Sequence, residues 1–450
     1  MFQIRIATVI TMLALLAGCY NEADITVIPG AEDAPSFALS EQPFDAQPES
    51  SVIEAYVPVP SEPTAPIPAA SYGDGTIAYA ENIDLLDSYQ EQIILDFMNT
   101  YYNSLAELTV QGPTELFSPN AKEQADNNRM VWEAMVAIRS MQKTDLTLIG
   151  YSFELTVTAI TEQDNGDIAV RVMEDFIQNF TAYPGVDSKG FGVSHNFTFT
   201  KEGGQWFLSH HRQSDSLSHN VMGRWRFGGS NADMPEISTE QRRDDWIAGA
   251  REAVAGRSEQ GRQPGQISYD NAYNREDAAG YAREWASKRN PAWQMYDRMG
   301  GNCQNFVSQA IFAGGVPMDY VAPAQWKWYG DTPSSAYTAS GRAPAWTGVK
   351  EFLVYVQNNR GFGMTAFADA PFYSGEPGDV IHMGYNGDLR HTVIITDIMK
   401  DDDGNTVDYL IASNTANLLD FPVSAFHYQE QMLIKIYGWN KQTTLPPQKQ

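Results

Sequence analysis

The chain has 450 residues and a formal net charge of -26. Neutralising phosphates requires clustered Lys and Arg, so nucleic acid is excluded as a partner, and an acidic surface also avoids anionic headgroups. A hydrophobic fraction of 43 % supports real cores, and the length suits two globular units plus connecting material.

At the N-terminus Arg5, the apolar stretch Ile6 to Leu16, and Ala17-Gly18 ahead of Cys19 read as an export signal over residues 1–18, too short to span a bilayer. Leu16-Ala17-Gly18-Cys19 resembles the lipobox of bacterial lipoproteins. That resemblance implies cleavage before Cys19, lipidation there, and a membrane-anchored protein exposed in the cell envelope, outside the cytoplasm. Residues 19–76 are rich in Pro, Ala, Ser and acidic side chains, and no Lys or Arg occurs between Arg5 and Lys122, which predicts an acidic tether. The chain has two cysteines; with Cys19 lipidated, Cys303 has no disulfide partner.

Residues 77–227 predict an α+β domain. Leu86, Tyr89, Ile93, Phe97 and Tyr101 recur at helical spacing, and a second helix is expected from Ala121 to Ser140. The period then changes to two, with strands expected at 152–160, 168–180, 193–200 and 205–211 in an antiparallel meander turned at Asn165-Gly166 and Gly203-Gly204. Residues 228–267 read as a linker containing one helix begun by Ser238 and Gln241.

Residues 268–442 form the second unit, also α+β, with 443–450 as a tail. Gly300-Gly301 breaks the chain, and Asn302 is a favoured N-cap residue. From Cys303 onward Phe306, Val307, Ala310 and Ile311 make one apolar helical face ending at Gly314-Gly315. Cys303 therefore falls in the first turn of a buried helix. Free N–H groups and the positive end of the helix dipole favour a thiolate there, and the Cys303 amide is placed to donate to an oxyanion. The other reading is a small buried hydrophobe.

A nucleophilic cysteine needs an imidazole within reach. His391 opens the strand-like run Thr392 to Thr396 after the Asn386-Gly387 turn, which favours it over His382 in Val380-Ile381-His382-Met383. Asn414, at the end of the strand expected around Tyr409 to Ala412, is either an amide that orients the imidazole or a turn residue.

These residues carry a resemblance. Tyr269-Asp270, Trp285-Ala286, Arg289-Asn290-Pro291, the run from Gly300 through Cys303 to Gln309, Gly314-Gly315-Val316-Pro317-Met318, Trp346, Gly378-Asp379-Val380 and His391 occur in the order seen in the bacterial putative amidase domain family. That family is grouped with NlpC-like and CHAP-like papain-fold cell-wall peptidases. The resemblance implies a papain-like cysteine hydrolase acting on an amide bond, plausibly of peptidoglycan peptide. It implies Cys303 as nucleophile, His391 as base, Asn414 as its orienter, and Asn302, Gln304 and Asn305 as oxyanion and supporting residues, with no cofactor. The family usually has Asp-Cys-Thr where this chain has Asn302-Cys303-Gln304, and His-Thr where it has Asn414-Thr415. A silent wall-peptide-binding adaptor and an acyl transferase using the same cysteine are the alternatives.

Three further features have plainer readings. Asp401-Asp402-Asp403-Gly404-Asn405 starts like a calcium loop but lacks the downstream Glu, so a hairpin turn is expected. His210-His211 with His195 does not suit a metal, because adjacent strand residues face opposite ways. Trp326, Trp328, Tyr329, Trp346 and Tyr373 either line a groove or fill a core.

Overall fold

The computed structural model describes residues 73–223, 237–297, 299–321 and 325–442. All lie within one unit, Ala65–Gln450. The expected signal, the Cys19 lipid anchor, most of the tether and the tail lie outside the described residues.

A strand not anticipated from the sequence comes first: β1 (Gly75–Tyr79) pairs parallel with β2 (Leu148–Glu162), so the sheet is mixed. Between them lie α1 (Ser88–Glu107) and α2 (Lys122–Ser140). Asp87 starts α1 with a capping box: its carboxylate accepts from Tyr89 N at 2.8 Å, and Gln90 accepts from Asp87 N at 3.2 Å. Its apolar stripe packs Phe97 against Trp132 of α2, with ring centroids 5.1 Å apart. β3 (Ile168–Phe180), β4 (Ser188–Glu202) and β5 (Gln205–Gln213) complete the meander.

α3 (Ser216–Val221) and α4 (Thr239–Gly256) follow. The segment read as a linker is not a free spacer. Arg243 of α4 bonds Glu133 of α2 at 2.6 Å, and the Trp246 indole donates to the His427 carbonyl at 3.2 Å. α4 is thereby tied to both halves of the molecule.

The second half contains β6 (Asn271–Ala272), α5 (Arg275–Trp285), α6 (Cys303–Ala313), β7 (Trp328–Tyr329), β8 (Gly341–Arg342), α7 (Pro344–Thr347), α8 (Val349–Asn358) and β9 (Gly363–Ala370). β10 (Val380–Tyr385), β11 (Asp388–Lys400), β12 (Thr406–Ser413), β13 (Asn417–Pro422) and β14 (Glu430–Asn440) then form its sheet. β13 pairs antiparallel with β4 through Asn417 opposite Phe191 and Leu418 opposite Gly190. The two halves thus share one 12-stranded sheet, and Phe421 packs edge-on against Phe180 at 5.6 Å.

Phe306, Val307, Ala310 and Ile311 of α6 cover Val380, Ile394, Ala412 and Ile434 on one face. Ile381, Val393, Ile395 and Ile411 on the other face join the core that includes α1 and α2. Burial on both faces explains why these strands read as continuous apolar runs instead of alternating ones. Asp379 locks the start of β10: its carboxylate bonds Arg275 at 2.7 Å and accepts from the amides of Ile436 and Glu376. The Gly-Asp-Val motif is therefore a structural staple.

The Asp401 segment is a hairpin turn between β11 and β12, with Asp401 accepting from Asn405 N at 2.7 Å. Trp326 and Trp346 are core residues 4.8 Å apart. Among the described residues no helix is long and apolar enough to cross a membrane, and no group of three His, Cys, Asp or Glu could hold a metal.

Candidate active site

Gly300 and Gly301, with φ of 105° and 120°, turn the chain in a conformation that side chains resist, and deliver Asn302 to the start of α6. Asn302 holds the N-cap position, but its side chain caps no first-turn amide. Its Nδ2 donates to Asn414 Oδ1 at 3.0 Å, and its Oδ1 accepts from Tyr296 N and from Asn305 Nδ2 at 2.9 Å. The Trp346 indole donates to Asn305 Oδ1 at 2.9 Å. The backbone amides of Thr392 in β11, Gln304 and Cys303 lie near enough to the Cys303 sulfur to favour its thiolate.

The Thr392 amide places the sulfur beside the residue following His391, where β11 and β12 part. Cys303 and His391 line one cavity of about 1200 Å³, together with Gly300, Gly301 and Thr415. His391 lies beside Phe426 and Tyr428, with ring centroids 6.2 and 5.8 Å away, and its Nε2 meets Ser413 Oγ at 3.0 Å. Ser413 Oγ also lies 3.4 Å from the Asn414 carbonyl. A hydroxyl donating to that carbonyl accepts from Nε2–H, and this tautomer leaves Nδ1 free to take a proton.

His382 does not line the cavity. It lies opposite Thr392 across the strand pair, fully buried, and neither ring nitrogen has a hydrogen-bond partner among the described residues. Burial pulls its pKa down to about 3, with nearby His391 adding to the effect. Because this lies below the unfolded value near 6.5, the neutral ring's contribution is lost as pH falls from 6.5 towards 3. His382→Leu is therefore expected to raise Tm, and by more at pH 5 than at pH 7. Melting curves at the two pH values check this; a gain that shrinks on acidification rejects it.

The remaining sequence candidates separate. Asn414 does not touch the imidazole: its Nδ2 donates to the carbonyls of Trp285 and Ala286, at 3.2 and 2.9 Å, and its oxygen faces Asn302. The orienting contact falls one residue earlier, on Ser413, because successive strand residues point opposite ways. Gln304 is buried, with Nε2 on Ser308 Oγ at 3.3 Å and Oε1 without a partner among the described residues. Ser413 and the Thr392 amide were not foreseen; strand alternation around Asn414 was the available signal for the first.

Electrostatics correct the expectation of an ionised thiol. Burial pushes Cys303 up to about 11 despite the three amides, and burial, aided by His427, pulls His391 down to about 4. Burial thus favours the neutral form of both groups. Alkylation by iodoacetamide is accordingly expected to rise about tenfold per pH unit from pH 7 to 10. A rate independent of pH between 5 and 8 would reveal a preformed ion pair instead.

With this geometry in place, the comparisons with known proteins are specific to the second half. The family model described as "Putative amidase domain" matches residues 272–437, which points to amidase-type hydrolase chemistry there. A protein called "Uncharacterized protein YhbB", from Bacillus subtilis (strain 168), is 33 % identical over 125 residues, 27 % of this chain and 37 % of that protein. This chain thus spans well under two thirds of that relative. No solved structure matches.

Proposed function

We propose that the protein is a lipid-anchored, papain-like cysteine hydrolase that cleaves an amide bond in a peptide of the cell envelope, with peptidoglycan peptide as the favoured substrate. The observation carrying this reading is that a helix-terminal thiol and an imidazole whose Nε2 is held by Ser413 line the same cavity. His391 Nδ1 takes the thiol proton as the sulfur bonds the carbonyl carbon. The Cys303 and Gln304 amides receive the oxyanion, and the imidazolium returns its proton to the departing amine as the C–N bond breaks. Water then releases the acyl group by the same proton transfers in reverse, and no cofactor takes part.

Starting as a neutral pair, the site ionises its buried thiol only as the carbonyl is attacked. The test is incubation of the full chain with purified muropeptides beside Cys303→Ala. Products from the wild type alone support the assignment; equal products from both remove it.

A further inference from the structure

The cavity that holds Cys303 and His391 is lined also by the N-terminal half, through Tyr101, Met135, Arg139, Glu174 and Gln178. Among the cations lining it, Arg289 pairs with Asp297 at 2.8 Å, Lys350 and Arg390 both pair with Asp388, and the half-buried Arg212 donates to the His219 ring at 2.8 Å. Arg139 differs. It is 3 % exposed, it forms no ion pair among the described residues, and its Nε has no hydrogen-bond partner there. Its Nη1 donates to Gln178 Oε1 at 3.0 Å, and its guanidinium lies 5.4 Å from the Phe180 ring centroid.

The carboxylate sharing this wall is already engaged. Glu174 accepts from Tyr102 at 2.6 Å with one oxygen and meets His195 Nε2 at 3.0 Å with the other; His195 continues to His211 at 3.1 Å and Asn128. A buried charge without a counter-ion is costly, and chains retain one where something else supplies the opposite charge. Burial lowers the Arg139 pKa, opposed only by the phenols of Tyr101 and Tyr102, which fits an unanswered cation.

We propose that Arg139 binds a carboxylate of the substrate, so that the enzyme selects peptides bearing a free carboxylate remote from the bond presented to Cys303. The planar fork of a guanidinium matches a carboxylate, and the cavity is large enough for a ligand of more than one residue. This deepens the hydrolase reading by naming its substrate class and makes the N-terminal half a specificity wall of the same site.

The test measures binding, so it does not depend on turnover. In full-chain Cys303→Ala protein, calorimetric titration compares N-acetyl-alanyl-alanine as free acid with its C-terminal amide. The free acid is expected to bind about tenfold or more tightly. Arg139→Met is expected to bring the ratio of the two affinities to about one, and Arg139→Lys to retain part of it. Equal affinity for acid and amide, or no saturable binding of the acid, overturns the proposal even if Arg139→Met fails to fold. An unchanged ratio in a folded Arg139→Met protein overturns it too. Muropeptide cleavage by the wild type with no acid preference in binding would leave the hydrolase reading standing and remove this one alone.

Discussion

Cys303→Ala is expected to lower amide hydrolysis on the order of 10⁴-fold or more, because it removes the thiol assigned to form the acyl intermediate. The fold should survive. The thiol is small, and its replacement costs about 1 kcal/mol of packing, since the helix start is held by Asn302 and Asn414 instead. Ser413→Ala should show a milder loss, roughly 10-fold, because the imidazole keeps its stacking on Phe426 and Tyr428 but loses the partner that fixes its tautomer. Steady-state rates on the best muropeptide substrate, with thermal melts of each variant, check both. A folded Cys303→Ala protein retaining a tenth of the rate would place the chemistry elsewhere.

The second large effect is on stability and comes from Asn302. Two of the positions at which the chain differs from the usual residues of the family it resembles, 302 and 414, meet in one hydrogen bond. Their amide orientations are determined by their neighbours. Two backbone carbonyls claim Asn414 Nδ2, so its oxygen must face Asn302; Asn302 must then present Nδ2 to it and Oδ1 to Tyr296 N and Asn305. Asn302→Asp replaces that donor with a second acceptor and buries a charge, at an expected cost of about 3–5 kcal/mol. Asn302→Asp with Asn414→His restores the donor and acceptor match and should recover at least about 1 kcal/mol. Denaturant unfolding of the two single variants and the double variant measures this coupling; additive losses would mean that the two departures are independent.

Much of the local structure was legible because it follows from chain periodicity. The α1 stripe from Leu86 to Tyr101, the meander strands and the Cys303 helix each announce themselves within a few residues. Cys303 and His391 were legible for the same reason: one begins a helix after two glycines, the other begins a strand after a turn. β1 was missed because five residues of parallel pairing to a strand some 70 positions later leave no local trace. Arg139 was missed because an arginine late in a helix reads as a favourable end charge until its burial is seen.

By itself the sequence determined the α+β class, the thiol and imidazole candidates and the acidic character, since these depend on residue type and short-range spacing. The tertiary structure alone decided that β4 and β13 join the halves into one sheet and that Ser413, not Asn414, meets the imidazole. It also decided that burial disfavours charge on the thiol and the imidazole, and that a buried guanidinium of the first half, Arg139, lines the cavity they share. Pairing partners, side-chain direction and desolvation arise from groups far apart along the chain, and only folding brings those groups within range of one another.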